Sequence, residues 1–162
     1  MLTIEKKPLS TNVFSLSSVA AEKQSFVTMR VNGQLFGASV MVVQDVVRAQ
    51  KIARIPLAPF MIEGSLNLRG RIVTVINMYH RLGLNSANKP AKQMHVVIEY
   101  RDELFSLMVD SVGDVLSVPM GQIDKVPVNL HASWREMAAG VYRLETELLV
   151  LFDIAALMQL TH

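Results

Sequence analysis

Apolar residues in this chain come mostly in short runs rich in Val and Ile, closed off by turn residues. The runs at 26–31, 72–76, 94–100 and 148–152 have the length and composition of strands. The pattern also repeats. LFGASVMVVQDVV at 35–47 aligns without a gap to LFSLMVDSVGDVL at 104–116, an offset of 69 residues with six of thirteen positions identical. Further on, Gly64 and Leu68 match Gly140 and Leu144, and IVTVINM at 72–78 matches LLVLFDI at 148–154 class by class. Each half therefore predicts an apolar strand, a Val-x-Asp-Val segment, a proline-containing loop, a glycine and a second strand pair.

The polar stretch NSANKPAKQ at 85–93 reads as the linker between the halves. The expected organisation is a flexible N-terminal segment at 1–25, a first barrel half at 26–84, the linker at 85–93, and a second barrel half with a C-terminal helix at 94–162. The fold class this implies is mainly β, two small tandem barrels. A short helix follows the last strand of each half. Asn77 and Asp153 stand at its start and are predicted to be equivalent N-caps, since either side chain can accept from the free amides of a first turn.

Composition narrows the chemistry. The 162 residues contain no cysteine, which removes thiol catalysis and cysteine-ligated metals. Sixteen Lys plus Arg against fourteen Asp plus Glu leave +2, too little to attract nucleic acid by bulk charge. A tandem barrel holding nucleic acid through Arg69 and Arg71 is the rival reading from another class. No apolar run reaches the roughly 18 to 20 residues of a membrane span. The apolar part of 1–21 is too short and too rich in Ser and Asn for a signal peptide, so a cytoplasmic location is expected.

No GxxxxGK[ST], GxGxxG, HExxH or GxSxG motif occurs. His80, His95, His131 and His162 lack ligand spacing, so the expectation is no enzyme, no metal and no cofactor. Asp45 and Asp114 read as strand-end surface residues. The methionines read as core filling, and Trp134 as a packing anchor. Arg69-Gly70-Arg71 reads as a glycine-containing hairpin turn that projects charge from a rigid edge. Ile72 and Ile76 lie on one face of the following strand and Val73 and Val75 on the other, so both faces must be covered.

GSLNLRGRIVTVINMYHRLGL, FGASVMVVQDV and MVDSVGDVLSVP resemble the three sequence blocks of the CheW family of bacterial chemotaxis coupling proteins, in the same order, over about 26–160. The resemblance implies two SH3-like five-stranded barrels. It also implies an adaptor between the coiled-coil tips of chemoreceptors and the regulatory domain of a CheA-type histidine kinase, placed at the membrane receptor arrays without entering the membrane. An adaptor of the same kind wired to pilus motility or cyclic-nucleotide signalling would look alike in sequence. The family's partner surface carries over to Val43, Asp45, Gly64, Arg69 and Gly70 in the first half and to Val112 and Val115 in the second. The chain departs from the family pattern at Thr74, where proline is usual, and at Asn77, where aspartate is usual.

Overall fold

A computed structural model describes residues 22–160. Its strands are β1 Lys23–Val31, β2 Gln34–Ser39, β3 Val43–Val47, β4 Ile62–Leu68, β5 Arg71–Asn77, β6 Met94–Tyr100, β7 Glu103–Val109, β8 Ser111–Pro119, β9 Ala138–Arg143 and β10 Leu148–Phe152. Short α-helices α1 Met78–Arg81, α2 Ala132–Met137 and α3 Ile154–Leu157 accompany them, with single 3-10 turns at Ser86–Asn88 and Met120–Gln122. Strand β1 starts at Lys23, so residues 23–25 of the segment expected to be flexible are strand, while 1–21 lie outside the described residues.

The mainly β class is as expected, but the partition between halves is not. One sheet runs β8-β1-β2-β10-β9 and the other β3-β6-β7-β5-β4. Each takes a hairpin from one half of the sequence and three strands from the other. The orders are interchanged by the repeat, with β1 equivalent to β6, β2 to β7, and β3, β4 and β5 to β8, β9 and β10. The boundary at 85–93 thus separates the repeats in sequence but does not separate the barrels.

The exchange follows from how each hairpin ends. Asn32 and Gly33 turn β1 into β2 with φ of 51° and 83°, the left-handed pair that a tight hairpin of matching twist needs. β2 then continues through Ser39–Val42 into β3, which pairs with β6 of the other sheet. In the second half, Asp110 alone separates β7 from β8, and β8 returns to pair with β1.

Each sheet closes in the same way. After β3 the chain crosses to β4, where Ala53 and Ser65 exchange two hydrogen bonds of 2.8 Å. After β8, Asp124 and Val141 do the same at 2.8 and 3.0 Å. The aligned glycines lie at these crossings. A Cβ on Gly64 would fall 2.2 Å from the Ala53 carbonyl oxygen, and one on Gly140 would fall 2.7 Å from Ile123 Cγ2 and 3.0 Å from the Asp124 carbonyl oxygen. The repeated glycine is therefore a requirement of closure.

Both faces of each sheet are buried over much of their length, which accounts for the strands that are apolar on both sides. Alternate residues serve different clusters. Val96 and Ile98 join Met29, Phe36, Ile76 and Leu107 in one cluster shared by the two sheets, while Val97 joins Leu66, Val73 and Val75 in a smaller one. Phe36 stacks on Phe152 with centroids 4.9 Å apart and meets Trp134 edge-on at 5.5 Å. Trp134 Nε1 donates to the Leu82 carbonyl at 2.9 Å, so the tryptophan anchors one barrel to the other. Arg81 adds a second tie, donating at 2.9 Å to the carbonyls of Ala156 and Leu157.

Both N-caps are present. Asn77 Oδ1 accepts from the His80 amide at 3.1 Å and Asp153 Oδ1 from the Ala156 amide at 3.2 Å. Their surroundings differ. Asn77 is buried and its Nδ2 also donates to Glu63 Oε1 at 2.9 Å, whereas Asp153 is exposed. The amide accepts and donates there, whereas an ionised carboxylate could only accept and would face Glu63, which gives the departure from aspartate a physical reason. The neighbouring departure is also accommodated: Thr74 lies between β4 and β7, where an amide donor is useful and proline is disfavoured.

Asn77→Ala should cost about 2 kcal/mol, the sum of a cap and a buried hydrogen bond to a carboxylate. Asp153→Ala should cost about 1 kcal/mol. Urea melts of both variants measure this, and equal losses would mean that the bond to Glu63 contributes nothing.

Candidate functional site

Arg69 and Gly70 form the two-residue turn between β4 and β5, with φ of 52° and 85°, and Arg71 already belongs to β5. The Gly70 amide donates to Asn67 Oδ1 at 2.9 Å, which fixes the turn from the strand before it. The arginine is not simply solvated. Arg69 Nη1 lies 2.9 Å from Asp45 Oδ2, with the guanidinium side chain 77% exposed and the aspartate 25% exposed.

This pair corrects the reading of Asp45 as a strand-end surface residue. Asp45 lies inside β3, at the register shift between Val43 and Asp45 where the strand bulges against β6. A bulge re-aims side chains. Strands β3 and β4 are opposite edges of their sheet, so the ion pair spans the closed barrel where the β4–β5 hairpin reaches β3. Two residues that the sequence proposed separately are in direct contact.

The other proposed residues are placed differently. Val43 is half-buried against the shared core, and Gly64 is buried at the crossing, so it shapes the site through backbone approach alone. Val112 and Val115 lie on β8, the edge of the other sheet, where Val112 packs against the shared core and Val115 is 57% exposed. Asp114, beside Val115, is exposed, and its carbonyl accepts from Thr28 Oγ1 at 2.6 Å. The seven proposed residues thus divide into a group on β3 and the β4–β5 hairpin and a group on β8.

Sequence reasoning missed several surface positions. Ile72 is 67% exposed although Val73, Val75 and Ile76 are buried, so the outward face of β5 is covered at one end and open at the other. Met41 and Met120 are exposed, unlike the core methionines Met29, Met78, Met108 and Met137. The loop 55–60 exposes Ile55, Leu57 and Phe60. Two prolines in IPLAPF were the available signal, because they deny the segment a central strand and leave its apolar side chains without a barrel to enter.

The histidines show no common centre. His95 is buried with Nδ1 2.7 Å from Ser106 Oγ, and burial holds its pKa below the ordinary histidine value. His80 stacks on Phe60, with centroids 3.9 Å apart. His131 caps α2, and His162 lies outside the described residues. Among the described residues no three His, Asp or Glu side chains are grouped to hold a metal ion, and no helix is long and apolar enough to cross a membrane.

Comparison with known proteins gives the arrangement a family. A family model described as a CheW-like domain matches residues 25–162. The chemotaxis protein CheW of Treponema pallidum is 28% identical over 141 residues, covering 85% of this chain and 83% of that protein. Protein PilI of Pseudomonas aeruginosa is 25% identical over 140 residues, covering 86% and 78%. Among solved structures, the scaffolding protein TtCheW from Thermoanaerobacter tengcongensis superposes with a TM-score of 0.73 at 25% identity, covering 82% of this chain and 85% of that one. With a family match running from the first strand through the last helix, this chain belongs to the CheW family.

Proposed function

We propose that the chain is a non-enzymatic scaffold of chemotaxis signalling. It joins the cytoplasmic tips of chemoreceptors to the regulatory domain of a CheA-type histidine kinase and works in the cytoplasm at the receptor arrays. The observation that carries this reading is the family match over residues 25–162, which takes in both barrels. The relatives named as chemotaxis proteins and the solved neighbour named as a scaffolding protein support it.

The geometry suits a scaffold. The two groups of candidate residues lie on different sheets, so two partners can be held at once by one rigid body. The Asp45–Arg69 pair gives the first group a defined charge pattern. Asp45 holds the guanidinium in place, and the exposed remainder of its five donors stays available for acceptors on a partner. Val43 and the exposed Val46 supply apolar contact beside it on β3.

The direct test is retention of a receptor cytoplasmic fragment on immobilised kinase regulatory domain, with kinases from each chemosensory pathway of the host. Retention should require this chain, and the pathway is identified by the kinase that gives it. No retention with any kinase, together with steeply salt-dependent binding to oligonucleotides, would replace the scaffold with the nucleic-acid reading.

Arg69→Glu tests the first group. It should shift stability by no more than about 1 kcal/mol, since it removes an exposed ion pair. At an interface the same reversal should cost about 2 kcal/mol or more, roughly 30-fold in affinity for at least one partner. Arg71→Glu, one residue beyond the turn, is the control. The double reversal Asp45→Arg with Arg69→Asp should restore the melting curve without restoring affinity if the partner reads the guanidinium itself. Affinities of Arg69→Glu within about threefold of wild type for both partners would make Arg69 an ordinary turn residue.

A further inference from the structure

The 69-residue offset that relates the two halves sets three neighbouring positions of one barrel against three of the other: Phe26, Gly37 and Leu116 are the equivalents of His95, Ser106 and Val47. The register agrees, since Phe26 pairs with Leu116 across β1 and β8, and His95 with Val47 across β6 and β3. In the barrel of β1 and β8 the place is filled without a polar side chain. A Cβ on Gly37 would lie 3.3 Å from Phe26 Cβ, so Phe26 closes over the room that the glycine leaves. In the other barrel His95 and Ser106, 1% and 0% exposed, bond to each other with Nδ1 2.7 Å from Oγ. The fold does not require this pair, because the equivalent site does without it. A departure of that kind from a repeated pattern points to function.

No charged group on its sheet stands as a counter-charge to His95. The charged residues of the five strands, His95 aside, are Asp45 on β3, Glu63 on β4, Arg71 on β5, Glu99 on β6 itself and Glu103 on β7. Asp45 is paired with Arg69, and Glu63 is bonded to Asn77. Glu99 stands roughly 13 Å along β6 from His95. Arg71 and Glu103 are exposed, as is Arg48, the cation that follows Val47. Burial alone therefore sets the titration of His95 and lowers its pKa. The unfolded chain takes up this proton as the pH falls through about 6.5, and the folded chain only at lower pH. The stability that neutral His95 contributes is complete above that range and is lost as the pH falls. The strand least able to bear the loss is β3, an edge strand of five residues with a bulge, where the equivalent β8 has nine.

We propose that the His95–Ser106 pair is an acid-sensitive latch built into this barrel: protonation of His95 frees β3 from β6 and so withdraws Asp45 from Arg69. What the Asp45–Arg69 site then releases rests on the scaffold reading above, whereas the latch itself is a property of the chain alone. Because Phe26 and Gly37 hold the equivalent place in the other barrel, acid loosens one barrel and leaves the other closed.

Amide hydrogen exchange of the protein without partners, corrected for intrinsic rates, tests the latch, with the His95 ring titrated by NMR alongside. Between about pH 7.5 and 5.5 the protection of the β3 amides should fall about tenfold, and that of β1 and β8 should not change. His95→Phe with Ser106→Gly reproduces the side chains of the other barrel and should abolish the fall. His95→Gln, which stays polar and cannot take up a proton, should abolish it too, and it serves if the double variant does not fold. Wild-type β3 protection that is independent of pH would overturn the latch. An equal fall in either folded variant would do the same, as would a His95 ring that takes up its proton near pH 6.5 with β3 still protected. None of these readouts involves a partner, so failure of the latch is distinct from failure of the scaffold reading.

Discussion

The structure depends on one shared apolar cluster between two sheets that have exchanged strands. Residues from β1, β2, β5, β6, β7 and β10 meet in it, and each sheet contains strands from both repeats. Neither repeat can bury its apolar faces with its own strands alone. A sheet that loses three of its five strands leaves a two-stranded remnant, which is marginal in water. The polar ties Arg81 to α3 and Trp134 to the end of α1 lie across the same join.

A rigid join is what a scaffold requires. Two barrels on a flexible linker would hold two partners at a variable angle, whereas an interface that is large and apolar fixes their relation. The repeated geometry of closure serves the same end. Gly64 and Gly140 bring the crossing segment against its sheet, and in the first barrel that crossing helps to place the hairpin whose Arg69 reaches Asp45. Surface chemistry is thereby positioned from within the fold.

Much of this was legible in the sequence. The offset repeat gave the equivalence of the strands, and the caps at Asn77 and Asp153 followed from residue type and position. The fold class followed from run length and turn residues. The pairing of halves was not legible, because strands β2 and β7 have the same pattern of apolar positions whichever sheet they join, and only the connections after them decide. The Asp45–Arg69 pair was hidden for a related reason: 24 residues separate its members, and a bulge, which period-two reading does not register, aims Asp45 at the hairpin. Leu57 was hidden because leucine in an apolar segment reads as core unless its backbone conformation is known.

The most direct test of this account is to divide the chain in its polar linker, between residues 89 and 90, and record amide NMR spectra of the two fragments apart and mixed. Reciprocal exchange predicts narrow, unfolded-like dispersion for each fragment alone and a dispersed native-like spectrum on mixing, since each barrel is completed only by the other fragment. A first fragment that shows a dispersed, cooperatively melting spectrum by itself would contradict the exchange and restore two independent tandem barrels.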